Sequence, residues 1–186
     1  MIEDTTWDES TRPTLAEPTD TAYDSGQLTT VEHLVAIHDH LRGELDRVRD
    51  LIGQVRRGLL TVGEARAAVN ELTLRQNNWT LGAYCQSYCG FVNGHHGLED
   101  ASVFPHLRRA EPDAAPVLDR LQAEHEVIHA LLDGVDRSLV ALVRDSDAAA
   151  LDHVEQAVES LAERLLSHLT YEERELRGPL ARHGFF

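Results

Sequence analysis

Four long stretches of this sequence carry apolar residues at spacings of three and four, which is the periodicity of amphipathic helices. No stretch alternates in the manner of a strand bounded by hairpin turns. Four helices of roughly 30 residues joined by short loops pack most simply as an antiparallel up-down-up-down bundle, so the sequence predicts an all-α fold. The predicted helices cover residues 29–57, 78–107, 115–144 and 147–176.

The residues outside these helices fall into two regions. Residues 1–27 are rich in Thr, Pro, Asp and Glu and poor in large apolar residues, which predicts a disordered acidic tail before a single bundle domain over 28–186. A weaker pattern within 58–78 predicts a short extra helix that Thr61 can cap. This segment would cover one end of a site or form a partner surface. Pro105 is expected to mark the end of the second helix or to bend its last turn.

Charge and composition argue against several classes of partner. The 17 Lys and Arg against 32 Asp and Glu leave a net charge of −15, which argues against binding to nucleic acids or anionic membranes. No apolar run approaches the roughly 20 residues that span a bilayer, and the N-terminus does not resemble a signal peptide, so we expect a cytoplasmic protein. Cys85 and Cys89 form neither a CxxC motif nor a disulfide framework and are expected to be reduced thiols.

The most unusual feature is the set of eleven histidines, many of which fall on the apolar stripes. A single histidine in such a place is ordinarily a core residue, but here several histidines share the phase of the buried stripes. Residues four apart on a helix are rotated by only about 40° and separated by about 6 Å, so both side chains can reach one point. The candidate ligands are His38 on the first helix, His95 and Glu99 on the second, His125 and His129 on the third, and His168 and Glu172 on the fourth.

This combination of side chains indicates a metal site. Burying five imidazoles and two carboxylates without compensation costs several kcal/mol for each unpaired ionic group, and a cation removes most of that penalty. A nitrogen and oxygen set without thiolate argues against iron–sulfur clusters and Cys-rich zinc sites. Seven groups are also too many for one tetrahedral zinc. The sequence therefore predicts a two-metal site with bridging carboxylates, in which iron is favoured and manganese is second.

The motif HHGLED offers two pairings, His95 with Glu99 and His96 with Asp100. The fourth helix contains the similar motif HLTYEE, in which a leucine stands at the position of His96. His96 is also rotated by about 100° from the apolar stripe. We therefore assign His95 and Glu99 to the metal and expect His96 and Asp100 to be flanking groups. Tyr88, two turns earlier, is expected to be a core residue or to line a channel above the site.

A lone His on the first helix, HxxxE on the second, HxxxH on the third and HxxxE on the fourth resemble the hemerythrin-like proteins over roughly residues 31–180. The run HHGLEDASVFP is especially similar to the bacterial HHE cation-binding domains. The resemblance implies that Glu99 and Glu172 bridge two irons. It also implies three histidines on one iron and two on the other, which leaves an open position for a small ligand.

The sequence leaves three classes of function open. The resemblance implies either a catalase-like enzyme that decomposes hydrogen peroxide, or a non-enzymatic binder or sensor of O₂, nitric oxide or iron. The respiratory carriers of the family have an Asp one residue later on the fourth helix, whereas this chain has Glu172, which argues against simple oxygen carriage. A ferritin-like di-iron site is disfavoured because only one ExxH motif, Glu126 with His129, occurs. A metal-free interaction bundle is the third possibility.

Overall fold

The computed structural model describes residues 7–16, 22–57, 82–145 and 147–185. These residues form four long helices and no strand, which confirms the predicted all-α helical bundle. None of the described helices is long and apolar enough to cross a membrane. The helix predicted within 58–78 lies outside the described residues. The elements are α1 (Ser25–Arg56), α2 (Gly82–Leu98), a π-helical turn (Glu99–Val103), α3 (Phe104–Ala110), α4 (Ala115–Asp145) and α5 (Ala148–His183).

The second long helix is continuous from α2 through the π-helical turn into α3. Leu98 and Phe104, which flank the turn, both have right-handed helical dihedral angles, and the Phe104 N–H donates to the Glu99 carbonyl. Pro105 follows directly and does not end the helix, which continues to Ala110. Proline lacks an N–H and its ring crowds the preceding turn of an α-helix. The wider π-helical turn lies at this position, shortly before Pro105.

The fourth long helix, α5, has identifiable signals at both ends. The Ala150 N–H donates to the Asp147 carboxylate at 2.7 Å, which caps the N-terminus. At the other end, Gly184 has φ of +60°, a left-handed conformation that favours glycine and terminates helices. The helix extends past Leu176, where the apolar stripe predicted its end, because Leu180 and Ala181 are also buried.

The chain divides into two compact units. The first comprises residues 1–39, 96–127 and 166–186, and the second comprises 40–95 and 128–165. In the second unit, ion pairs connect α1 to α5, with Arg49 2.7 Å from Glu159 and Arg56 2.6 Å from Asp152. The core of the first unit comes from the apolar stripes of several helices and includes Val31, Phe104, Leu107, Leu118, Leu121, Tyr171, Leu176 and Leu180.

The first unit also contains residues 7–16, where the sequence predicts disorder. Trp7 is buried, the Tyr171 hydroxyl donates to the Pro13 carbonyl at 2.7 Å, and the Leu15 N–H donates to the Glu175 carboxylate at 2.7 Å. The prediction of disorder is therefore wrong for residues 7–16. A low apolar content does not prevent ordering when backbone groups find buried partners on a neighbouring helix.

Candidate metal centre

Two carboxylates lie at the middle of a polar cluster inside the first unit. Glu99 begins the π-helical turn and Glu172 lies on α5, and both are almost fully buried. Burial, followed by the negative charge of Glu172, raises the pKa of Glu99 well above its ordinary value. Burying two ionised carboxylates side by side costs free energy of folding, unless a bound cation balances their charges.

Three fully buried histidines direct one ring nitrogen toward these carboxylates. The Nε2 atoms of His38 and His168 lie 3.4 and 3.6 Å from Glu172, and the Nε2 of His125 lies 3.6 Å from Glu99. At 3.6 Å these contacts are too long for hydrogen bonds, and the Nε2 atoms of His125 and His168 find no hydrogen-bond partner among the described residues. The nitrogen lone pairs therefore converge on one buried space.

The other ring nitrogen of each of these histidines bonds to an outer carboxylate. Nδ1 of His38 is 2.8 Å from Glu173, Nδ1 of His125 is 3.0 Å from Asp100, and Nδ1 of His168 is 3.1 Å from Glu124. Because an ionised carboxylate only accepts hydrogen bonds, this arrangement places the ring proton on Nδ1 and leaves Nε2 to bind a metal. Carboxylate partners of this kind commonly orient histidine ligands in metal sites.

The electrostatic surroundings of His38 and His168 differ. Burial lowers the pKa of His38, but the hydrogen bonds and negative charges of Glu172 and Glu173 outweigh it, so the pKa is raised. At His168, burial dominates and lowers the pKa, which favours the neutral imidazole that binds metals.

His96 occupies a place that the sequence did not predict. Its side chain is fully buried, its ring stacks on that of His125 with centroids 4.0 Å apart, and it forms a possible ligand group with His125 and His168 within 4.8 Å. The sequence predicts His96 as a flanking group off the apolar stripe, whereas the structure buries it beside two predicted ligands. The buried face of a bundle helix is at least about 100° wide, so two consecutive residues can both lie on it.

Within the first unit the structure thus brings together five of the seven predicted ligands and adds His96. The two others, His95 and His129, lie in the second unit, where His95 is buried and His129 half-buried. Their role as ligands stays a prediction, as does the place of Tyr88, which is buried. Four histidines that the sequence left without a role are exposed, namely His33, His40, His153 and His183.

Arg12 is a further residue of this cluster, which the sequence pattern did not predict. Its Nε and Nη2 donate to the two carboxylate oxygens of Glu124 at 2.8 and 3.0 Å, and Arg120 donates to the same group at 2.7 Å. Burial favours the neutral form of Glu124, but hydrogen bonds from His168, Arg12 and Arg120 outweigh it and lower its pKa to about 2. The only sequence signal is that Arg12 is the sole Lys or Arg before Arg42.

Converging imidazole nitrogens around two buried carboxylates, inside a bundle of helices, define a helical metal-binding protein. The donor set fits a cation, because outer carboxylates accept hydrogen bonds from the Nδ1 atoms of these histidines and leave their Nε2 atoms directed at Glu99 and Glu172. The family model of the hemerythrin HHE cation-binding domain matches residues 29–178, and the chain therefore belongs to this family. No curated protein and no solved structure matches the chain significantly.

Proposed function

We propose that this protein holds a non-haem di-iron centre that binds O₂ or peroxide and decomposes hydrogen peroxide. The observation that carries the proposal is the convergence of the His38, His125 and His168 Nε2 atoms on Glu99 and Glu172. Carboxylates that face imidazoles from several helices can bridge two cations, whereas a single tetrahedral metal takes only four groups.

The proposed ligands follow the sequence pattern and the geometry together. Glu99 and Glu172 would bridge the two metals, and His38, His125 and His168 would bind them together with His95, which the sequence pattern predicts. His129, from the sequence, and His96, from the geometry, compete for the remaining position. Imidazole and carboxylate ligands are compatible with iron and also with manganese, and the family resemblance favours iron.

Peroxide disproportionation needs a centre that both gives and takes two electrons. One H₂O₂ gains two electrons and two protons to give two water molecules, and a second loses two electrons and two protons to give O₂. Bound iron would supply this two-electron exchange. The chain itself would orient the ligands through Asp100, Glu124 and Glu173, and the buried ligand side chains would limit the access of bulk water.

An oxygen-electrode assay tests the proposed reaction. Iron-loaded protein should release one O₂ for every two H₂O₂ consumed, and Glu172→Gln should lose this activity because the variant lacks a bridging charge. Iron-loaded protein that releases no O₂ would contradict the enzymatic proposal. A reversible change of visible absorption with O₂ or nitric oxide, without turnover, would instead identify a binder or sensor.

Paired variants decide between the two candidates for the last ligand. If His96 binds the metal, His96→Ala should lower the iron affinity by more than the roughly 10- to 100-fold typical of outer partners. His129→Ala should then have the smaller effect. Iron titration of both proteins measures the difference. The reverse order would return His96 to the flanking role that the sequence predicts and assign His129 to the metal.

A further inference from the structure

Residues 7–16 lie against α4 and α5 and carry a nearly buried cation, Arg12. Besides its two bonds to Glu124, its Nη1 donates to the Ser167 hydroxyl at 2.9 Å. The guanidinium lies 4.7 Å from the ring centroid of Tyr171 and 5.3 Å from that of Trp7. Arg12 also pairs with Glu9 at 3.8 Å, and these polar and aromatic contacts together hold the side chain in one position.

The partner of Arg12 is the most enclosed of the three outer carboxylates. The Glu124 side chain is 2 % exposed, whereas those of Asp100 and Glu173 are 22 % and 23 % exposed. Water can stabilise the charges of the two more exposed groups. A carboxylate as buried as Glu124 needs cationic partners to stay ionised, and removal of one partner from a buried ion pair is strongly destabilising.

Glu124 in turn determines the orientation of His168. Its Oε2 accepts from Nδ1 of His168 at 3.1 Å, while both of its oxygens accept from Arg12 at 2.8 and 3.0 Å. The Nε2 of His168 then points toward Glu172 at 3.6 Å. A chain of direct contacts thus runs from the N-terminal segment to the proposed metal position.

We propose that Arg12 is a positioning residue of the metal centre, which acts through Glu124 to hold the His168 imidazole in its metal-binding orientation. Residues 7–16 would therefore contribute to the metal site, in addition to packing on the surface of α4 and α5. This inference rests on the proposed metal site. It predicts that loss of Arg12 changes the properties of His168, and that loosening the segment elsewhere does not.

The first experiment compares Arg12→Gln with Tyr171→Phe. The Arg12 variant removes the charge and the two-point bond to Glu124, and release of iron to a chelator should become about 10- to 100-fold faster. Tyr171→Phe removes the hydrogen bond to the Pro13 carbonyl but keeps the aromatic ring beside Arg12. Its release rate should stay within about twofold of the unmodified chain. If iron release became equally faster in both variants, the segment would only stabilise the fold, and the positioning role of Arg12 would be overturned.

A double-variant cycle tests whether Arg12 acts through Glu124. If it does, Arg12→Gln should add little to the effect of Glu124→Gln, because coupled residues are not additive. Arg12→Lys, which keeps the charge but not the two-point geometry, should restore part of the slow release. Fully additive effects of the Arg12 and Glu124 substitutions would overturn the proposed path.

Nitrogen NMR of the metal-free protein separates this inference from the proposed function. In the unmodified chain His168 should show a single tautomer with the proton on Nδ1, and Arg12→Gln should shift that signal while Tyr171→Phe leaves it unchanged. An unchanged signal in Arg12→Gln contradicts the positioning role even if iron binds. If the unmodified chain takes up no iron, the proposed function fails, and the NMR comparison still decides whether Arg12 positions His168.

Discussion

Glu172→Gln should remove nearly all bound iron from the protein. The Glu172 carboxylate lies 3.4 Å from the Nε2 of His38 and 3.6 Å from the Nε2 of His168, so it serves both sides of the proposed centre. The amide keeps the shape but removes the negative charge that balances the cations. We expect the affinity for iron to fall by more than roughly 100-fold, which is the upper range when a residue that only hydrogen-bonds to a metal ligand is replaced. Elemental analysis of protein purified without a chelator measures this loss.

Glu173, the next residue along the chain, provides a matched control for the Glu172→Gln variant. Glu173→Gln makes the same chemical change one position along α5, but Glu173 touches Nδ1 of His38 and is partly exposed. Its effect should stay within about 10- to 100-fold. Equal iron content in Glu172→Gln and the unmodified chain would contradict the proposed bridge. An equal loss in both variants would show that the two carboxylates act alike, contrary to the geometry.

Removal of the metal should destabilise the fold by a large amount. Without a cation, Glu99 and Glu172 remain as adjacent buried carboxylates, and burial together with Glu172 raises the pKa of Glu99. Metal at 1,000 times its dissociation constant adds about 4 kcal/mol to the free energy of unfolding. For a chain of this size that corresponds to a fall in Tm of about 8–16 °C when the metal is removed. Thermal melts with and without a strong chelator measure the difference.

The Glu172→Gln variant is the control for this experiment also. Because it should hold almost no iron, its Tm should be nearly the same with and without chelator. A chelator effect of the same size in this variant would mean that the stabilising metal binds elsewhere. No change of Tm in the unmodified chain would contradict the coupling of metal binding to folding.

The sequence predicted the fold because helix periodicity and ligand spacing are properties of single helices. The stripes on α1, α4 and α5 place His38, His125 and His168 inward without any knowledge of their neighbours. The same register selects Glu99 and Glu172. In the structure, these three histidines and two glutamates are buried together in the first unit.

The sequence did not predict His96, because its assignment assumed a narrow buried stripe on an ideal α-helix. The real buried face of the helix is wide enough to hold both His95 and His96. Beyond His96, the π-helical turn from Glu99 also widens the backbone, and such turns are frequent at functional sites. In this setting Glu99 is buried while the adjacent Asp100 bonds to Nδ1 of His125. A sequence pattern with 3.6 residues per turn does not predict a π-helical turn.

The sequence did not predict the role of Arg12, and the reason differs from that for His96. Composition identifies residues 1–27 as too polar to form a core of their own, and that reasoning applies to an isolated segment. The order of residues 7–16 comes from partners that are more than 100 positions away in the chain, such as Glu124 and Ser167. Contacts over such sequence distances depend on the completed fold.

The iron content of the unmodified protein tests the central claim most directly. Protein produced with iron in the medium and purified without a chelator should contain about two irons per chain, and its visible absorption should change when peroxide is added. One iron per chain would contradict the proposed di-iron centre. The absence of iron, together with a failure to take it up afterwards, would contradict the assignment of the histidine and glutamate cluster to iron.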